Sequence, residues 1–146
     1  MVVGGLAVIL HGFVRATGDL DLIVSLDKEN LKAFLSLVKK RGYKPKAPVK
    51  LEDFAETEKR LSWFNDKGML VFSLYHPKFP QELVDIFVNE PIPFDKAYRR
   101  RKIKKMGPIP ISVIGLKDLI FLKKKANRPQ DKEDIKALKR IGKKIK

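Results

Sequence analysis

The hydrophobic positions of the chain follow two periods in alternation, that of a strand and that of a helix. After a very short apolar run, MVVGG, the segment GLAVILHG has the length and apolar spacing of two helical turns. A second helix is predicted to begin after Asp27, a good N-cap, and to end before Gly42. Because strands and helices are interleaved without a linker or repeat, we expect a single α/β domain over residues 1–146.

The second half of the chain continues this alternation and predicts a mixed sheet flanked by helices. Residues 51–64 predict a helix, and the apolar segments MLVFSLY and ELVDIFV predict two strands that pair as neighbours. The segment PIPISVI is interrupted by Pro110 and fits an edge strand. Two further helices are predicted, over GLKDLIFLKKKA and from Pro129 towards the basic end of the chain.

One predicted strand, RATGDLDLIV, carries two aspartates among its apolar residues. Side chains alternate along a strand, so Asp19 and Asp21 point to one face while Leu20 and Leu22 point to the other. Two carboxylates on one face repel each other and need a partner. A solvated strand face is the commoner explanation for such a pair. The surrounding residues have to distinguish a solvated face from a face at which the carboxylates bind a partner.

Two further features point to an anion site and a metal site. Gly4 and Gly5 would let the backbone approach a phosphate at a helix start, although a plain tight turn also explains two glycines. Asp85 lies in the apolar segment VDIFV without a local charge partner, where the alternative is a salt bridge to a core Lys or Arg. If the strand of Asp19 and Asp21 pairs beside an N-terminal strand, the three carboxylates converge beside the phosphate-binding glycine turn and form a divalent-metal site.

Composition narrows the choice of metal and partner. The chain has no cysteine and two histidines, so thiolate sites are excluded, zinc is disfavoured, and Mg²⁺ or Mn²⁺ is the expected ion. A reducing, cytoplasmic setting is expected, and no apolar run reaches the ~18 residues that span a bilayer. The formal net charge of +15 favours a polyanionic partner over a membrane surface. The basic excess lies in KAYRRRKIKK and in the C-terminal KRIGKKIK.

The order of these motifs resembles the DNA polymerase β nucleotidyltransferase superfamily. GGLAVILHGFVRATGDLDLIV is similar to the small prokaryotic nucleotidyltransferases that include the abortive-infection toxins, and LKDLIFLKKKANRPQDKEDIKAL resembles the C-terminal motif of that group. The resemblance implies a nucleotidyltransferase fold and an enzyme that moves a nucleoside monophosphate from an NTP to an acceptor hydroxyl. A toxin–antitoxin role is compatible with that activity.

The resemblance also implies roles for individual residues. Asp19, Asp21 and Asp85 would bind the metal ions and are the catalytic candidates, and the nucleotide-binding candidates are Gly4, Gly5, Arg15, Thr17, Lys123, Arg128 and Asp131. Alternatives remain open for several of these: Asp131 and Asp134 also suit the first turns of a helix, and Arg15 also suits a salt bridge. His11 is expected to be a packing residue.

The family has a helix before its first strand, so we expect either a start upstream of Met1 or a member without that helix. The charge predicts RNA, for example a tRNA, as the acceptor or a bound partner. The rival function is a non-catalytic basic module that binds RNA and retains only the fold.

Overall fold

The computed structural model describes residues 1–144, which form six α-helices, six β-strands and one 3-10 helix. In chain order the elements are α1 (Gly4–Leu10), β1 (Asp19–Leu22), α2 (Lys28–Lys40), β2 (Lys44–Pro45), the 3-10 helix (Leu51–Ala55), α3 (Thr57–Lys67), β3 (Val71–His76), β4 (Phe79–Phe87), α4 (Phe94–Arg99), β5 (Lys102–Met106), β6 (Ile109–Val113), α5 (Leu116–Ala126) and α6 (Pro129–Lys144). Contacts divide the chain into two compact units. Unit 1 joins residues 1–17 to the segment from Ile92 onward, and unit 2 spans Gly18–Pro91.

Unit 2 contains a four-stranded mixed sheet in the order β1-β4-β3-β2. Strand β1 is parallel to β4, while β4–β3 and β3–β2 are antiparallel. Alternation along the strands places Phe72, Leu74 and Ile86 in a core shared with Leu31 of α2 and Phe54 of the 3-10 helix, and all five side chains are at most 1% exposed. Burial of this apolar surface stabilises the sheet that contains β1, the strand of Asp19 and Asp21 (the D-x-D strand).

Unit 1 contains α1, α4, α5 and α6 with the two-stranded antiparallel sheet β5–β6. Its fully buried apolar side chains include Val3, Val8, Ile114, Leu119 and Leu138, each at most 1% exposed. This core fixes the start of α1 and the two C-terminal helices of the same unit. Asn127, in the left-handed conformation with φ 51°, ends α5 ahead of Pro129, as the sequence predicts for this boundary.

Several predicted elements are confirmed. Asp27 caps α2 by accepting a hydrogen bond from the Asn30 amide at 2.8 Å, and β3 and β4 pair as predicted neighbours. The helix predicted over residues 51–64 is divided in two, because Glu56 adopts an extended backbone between the 3-10 helix and α3. The prediction of a mixed α/β fold with helices around a sheet is confirmed. Among residues 1–144, no helix combines the length and the apolar character that crossing a membrane requires.

Residues 1–3 do not form the N-terminal strand beside Asp19 and Asp21 on which the metal-site argument was conditioned. Val2 makes an isolated parallel bridge to Val113 of β6, and β1 pairs with β4. Gly4, with a left-handed φ of 62°, begins α1 directly after Val3. Strand β5 was not predicted. Its sequence KIKKM was interpreted only as a basic run, because the lysines obscure the alternation of apolar and polar residues that indicates a strand.

Candidate active site

Strands β1 and β4 place three aspartates on one face of the unit 2 sheet. Asp21 is the register partner of Asp85, and Asp19 is the partner of Leu83. Aligned residues on adjacent strands share a face, and residues two apart on one strand do so as well. Asp19, Asp21 and Asp85 therefore share a face within two neighbouring strands. The alternation of the sequence predicted this for the first two residues only.

The environment of Asp85 differs from that of an ordinary core carboxylate. Its Oδ1 is buried and has no hydrogen-bond partner, and no ion pair to Asp85 is present in the described part of the chain. The alternative of a salt bridge to a core Lys or Arg is therefore not found. A buried carboxylate oxygen without a donor costs about 1–3 kcal/mol or more, so a ligand that binds this oxygen would offset the cost.

The donor set fits a hard divalent cation by chemistry. Carboxylate oxygens are the ligands that Mg²⁺ and Mn²⁺ prefer, and Asp85 offers an oxygen with no other partner. Within residues 1–144, however, no three His, Asp or Glu side chains are gathered closely enough to hold an ion. A bound ion would have to draw these carboxylate oxygens together. The three aspartates remain predicted ligands.

In unit 1, the two glycines at the start of α1 lie against the side chains that follow the helix. A Cβ built on Gly5 would lie 2.5 Å from Thr17 Oγ1 and 3.4 Å from Arg15 Cζ. Glycine is thus required at position 5 by the close approach of Thr17, whether or not a phosphate binds. Gly4 has a left-handed φ of 62°, which also favours glycine.

A network of buried ion pairs joins three segments of unit 1. Lys123 Nζ lies 2.8 Å from Asp131 Oδ1 and 2.7 Å from Asp134 Oδ2, and all three side chains are at most 4% exposed. Arg15 Nη1 donates to Asp134 Oδ2 at 2.8 Å, and Arg128 Nε donates to Asp131 Oδ2 at 2.9 Å. The network therefore alternates in charge, with the two arginines at its ends. Their side chains are 20% and 70% exposed, in the order Arg15 and Arg128.

The charges of this network perturb one carboxyl group strongly. Burial on its own would raise the pKa of Asp131, but hydrogen bonds from Arg128 and Lys123 outweigh burial and lower that pKa from 3.8 to about 2. Asp131 is therefore ionised at neutral pH. Asp131 and Asp134 do more than neutralise the helix dipole, because both carboxylates form buried ion pairs with Lys123.

Of the residues that the sequence singled out in unit 1, the structure brings together Arg15, Lys123, Arg128 and Asp131. Asp134 belongs to the quoted C-terminal motif but received no role of its own, although it joins Arg15 to Lys123. The three-residue spacing of the two aspartates after Pro129 is the sequence signal for a shared helix face. The salt bridge left open for Arg15 is present. A direct contact between Lys123 and phosphate stays a prediction.

His11 is confirmed as a packing residue at the end of α1. Its Nε2 lies 2.8 Å from the carbonyl oxygen of Ile114, and the ring is half-buried. Burial lowers the pKa of His11, and the positive charges of Lys104 and Lys102 lower it further. The hydrogen bond to the Ile114 carbonyl oxygen raises this pKa but does not offset the other effects. The imidazole is therefore neutral at pH 7 and is used in holding α1 to the segment after β6.

Comparisons with known proteins agree with this fold. The chain is similar to a crystal structure of the lincosamide antibiotic adenylyltransferase LnuA with lincomycin bound, with a TM-score of 0.59 and 18% sequence identity. The match covers 96% of this chain and 85% of that one, which confirms the nucleotidyltransferase fold. No curated protein matches the chain.

The family profile described as nucleotidyltransferase of unknown function (DUF6036) matches residues 1–144. This match covers nearly the whole sequence and includes both the D-x-D strand and the C-terminal motif. The superfamily resemblance is thereby confirmed, and the protein is a nucleotidyltransferase that belongs to the DUF6036 family.

Proposed function

We propose that the protein transfers a nucleoside monophosphate from an NTP to an acceptor hydroxyl and that the transfer requires a divalent metal ion. The observation that carries this proposal is the register of β1 and β4, which aligns Asp21 with Asp85. Asp19 shares their face, and the buried Oδ1 of Asp85 has no hydrogen-bond partner. Three carboxylates with an unsatisfied oxygen are a donor set for Mg²⁺ or Mn²⁺.

The chemistry is a substitution at the α-phosphorus. The acceptor oxygen forms a bond to this phosphorus, the bond to the α–β bridging oxygen breaks, and pyrophosphate departs. A divalent ion, when bound, would neutralise charge on the phosphate oxygens. The protein's own contribution is positioning and proton transfer. Asp19, Asp21 and one oxygen of Asp85 would hold the ion, and the other oxygen of Asp85 would accept the proton of the acceptor hydroxyl.

We assign the triphosphate to the start of α1 and the cations beside it. Gly4 and Gly5 present backbone amides, and Arg15 and Thr17 lie against Gly5. Arg128 adds an exposed guanidinium of the same ion-pair network. The two carboxylate partners of Lys123 favour a supporting role for this lysine. Lys123 holds Asp131, which pairs with Arg128, and Asp134, which pairs with Arg15.

RNA is the acceptor or bound partner that the charge favours. The net charge of +15 exceeds what a triphosphate needs, and Lys96, Lys102 and Lys105 are exposed. The adenylyltransferase with a lincosamide bound provides the alternative, a small-molecule acceptor. A toxin–antitoxin role would appear as growth arrest on expression that Asp21→Asn relieves.

The rival function is a non-catalytic module that binds RNA. Its supporting observation is that no three acidic or histidine side chains in residues 1–144 are gathered around a point that could hold an ion. Under this rival, the carboxylates of β1 and β4 are remnants of the fold, and the basic surface alone has a function.

Label transfer decides between these functions. The protein is incubated with each α-³²P-labelled NTP, Mg²⁺ or Mn²⁺, and either total RNA or a panel of small hydroxyl compounds. We expect metal-dependent labelling of an acceptor that Asp21→Asn or Asp85→Asn lowers by a factor of at least 10². Asp95→Asn, which removes an exposed carboxylate from α4, is the control and should retain activity.

Labelling that survives in both site variants would contradict the assignment of the carboxylates. The absence of labelling with every NTP and acceptor, together with retained RNA binding, would favour the non-catalytic module. Metal binding is measured separately by the rise in melting temperature on addition of Mn²⁺, which we expect in the wild type and not in Asp21→Asn.

A further inference from the structure

The end of the unit 2 sheet, at the β3–β4 hairpin, carries a row of aromatic rings that the proposed chemistry does not use. Tyr43 contacts His76 edge-on at 5.3 Å between ring centroids, and His76 contacts Phe79 at 5.1 Å. Phe79 is 48% exposed, whereas the other two rings are half-buried. We call Tyr43, His76 and Phe79 the aromatic surface.

Local backbone features hold this surface in place. The β3–β4 register shifts between Tyr75 and His76, and such an irregularity re-aims the side chain at its position. The Lys78 amide donates to His76 Nδ1 at 3.2 Å, which fixes the ring and its tautomer. Gly42, with φ 82°, makes room for His76: a Cβ there would lie 3.2 Å from Nε2. The rings are therefore fixed before any partner binds.

Three cations without a carboxylate partner lie close to these rings in the sequence. Arg41, Lys44 and Lys78 are exposed, each within two residues of an aromatic-surface residue, and none has an ion pair within the part of the chain that the structure describes. The pKa of Tyr43 is raised chiefly by burial and by Glu82, and the Arg41 guanidinium offsets part of that rise, which places Arg41 near the rings. Glu82 accepts a hydrogen bond from the Tyr43 hydroxyl and is an acidic residue in contact with the aromatic surface.

We infer that the aromatic surface and these three cations bind a single-stranded nucleic acid. Proteins that bind single strands combine basic groups along the backbone with rings on which bases stack. An exposed ring beside unpaired cations satisfies both requirements, and the net charge of +15 favours a polyanion. This inference rests on the RNA partner in the proposed function and names a surface that contacts this partner in addition to Lys96, Lys102 and Lys105.

Binding is measured by fluorescence anisotropy with labelled 12-nucleotide single strands, without NTP or metal. We expect Phe79→Ala to weaken binding about tenfold, because base–ring stacking contributes about 1–3 kcal/mol per base. Phe79→Tyr should retain affinity. Phe121→Ala is the matched control, since Phe121 is also a half-exposed phenylalanine (51%) and lies on α5, outside the aromatic surface.

Two of the three cations, Arg41 and Lys78, are tested by salt dependence. Arg41→Ala with Lys78→Ala should reduce the steepness of the log–log salt plot by about 1.4, which is about 0.7 for each phosphate contact. Lys28→Ala with Lys32→Ala, which removes two exposed lysines of α2, should leave the slope unchanged. Phe79→Ala removes no charge and should lower affinity without changing the slope. RNA and DNA strands of one sequence distinguish recognition of the 2′-hydroxyl from recognition of the shared backbone.

The chain has two histidines, so histidine ring signals give a direct reading of the site. The NMR signals of His76 should shift when a single strand is added, and those of His11 should not. Equal affinities of the Phe79→Ala and Phe121→Ala variants, or an unshifted His76 signal at saturation, would overturn the inference. Label transfer to an acceptor would still stand in that case, so failure of this inference is distinct from failure of the proposed function.

Discussion

At the scale of single residues, burial and partners decide which charged side chains are available to a nucleotide. Lys123 was expected at a phosphate, but its ammonium lies between Asp131 and Asp134 and is 4% exposed. The family resemblance indicated which residues belong to the C-terminal motif. It could not predict the pairing of Arg15 with Asp134, 119 positions away, because such contacts depend on tertiary packing.

Replacement of Asp131 by Asn should destabilise the protein and reveal the origin of its lowered pKa. A carboxyl pKa of about 2, below the ordinary 3.8, contributes stability that is present above pH 4 and is lost as the pH falls through about 2. At pH 7 we expect Asp131→Asn to cost about 2 kcal/mol, measured by urea unfolding. The difference from the wild type should shrink between pH 4 and pH 2, and Asp95→Asn should change stability by less than about 0.5 kcal/mol. A difference that is constant over this range would rule out the ion pairs as its source.

At the scale of elements, the D-x-D strand, the β3–β4 pair and the two C-terminal helices follow from local pattern. The partner of the D-x-D strand did not: β1 lies beside β4, which begins about 60 residues later in the chain. Which two strands pair in parallel depends on the path of the chain between them. The spacing of apolar residues predicts the strands but not this path. The alignment of Asp21 with Asp85, on which the catalytic proposal depends, is therefore visible only in the structure.

The basic segment KAYRRRKIKK divides into elements with different functions. Arg100, after α4, donates two hydrogen bonds to Asp118, at 2.8 Å and 3.0 Å, and Arg101 stacks on Tyr98 with its Cζ 3.8 Å from the ring centroid. We expect Arg100→Ala to lower the melting temperature, because this arginine donates two hydrogen bonds to Asp118. Lys102→Ala, on β5, should leave stability within about 0.5 kcal/mol. Equal melting temperatures for the two variants would mean that the arginine pair contributes nothing.

At the scale of the whole molecule, the net charge of +15 predicts how affinity for RNA depends on salt. The cations to remove are those without a structural partner. Arg100 and Arg101 are unsuitable because they contact Asp118 and Tyr98, so their replacement would affect folding as well as binding. Lys96, Lys102 and Lys105 are exposed and carry the same charge. They therefore separate the electrostatic contribution of the basic segment from the stability of unit 1.

Replacement of these three lysines by alanine should flatten the log–log dependence of RNA affinity on salt by about 2, which is about 0.7 for each lost contact with a single strand. Filter binding over increasing salt measures the slope, and binding of NTP and Mn²⁺ should be unchanged. The matched control removes three other exposed lysines, Lys28, Lys32 and Lys67, and should preserve the slope. If both triple variants flatten the slope equally, the interaction follows net charge and has no preferred surface. If the wild type binds no RNA at low salt, the acceptor is a small molecule or a protein.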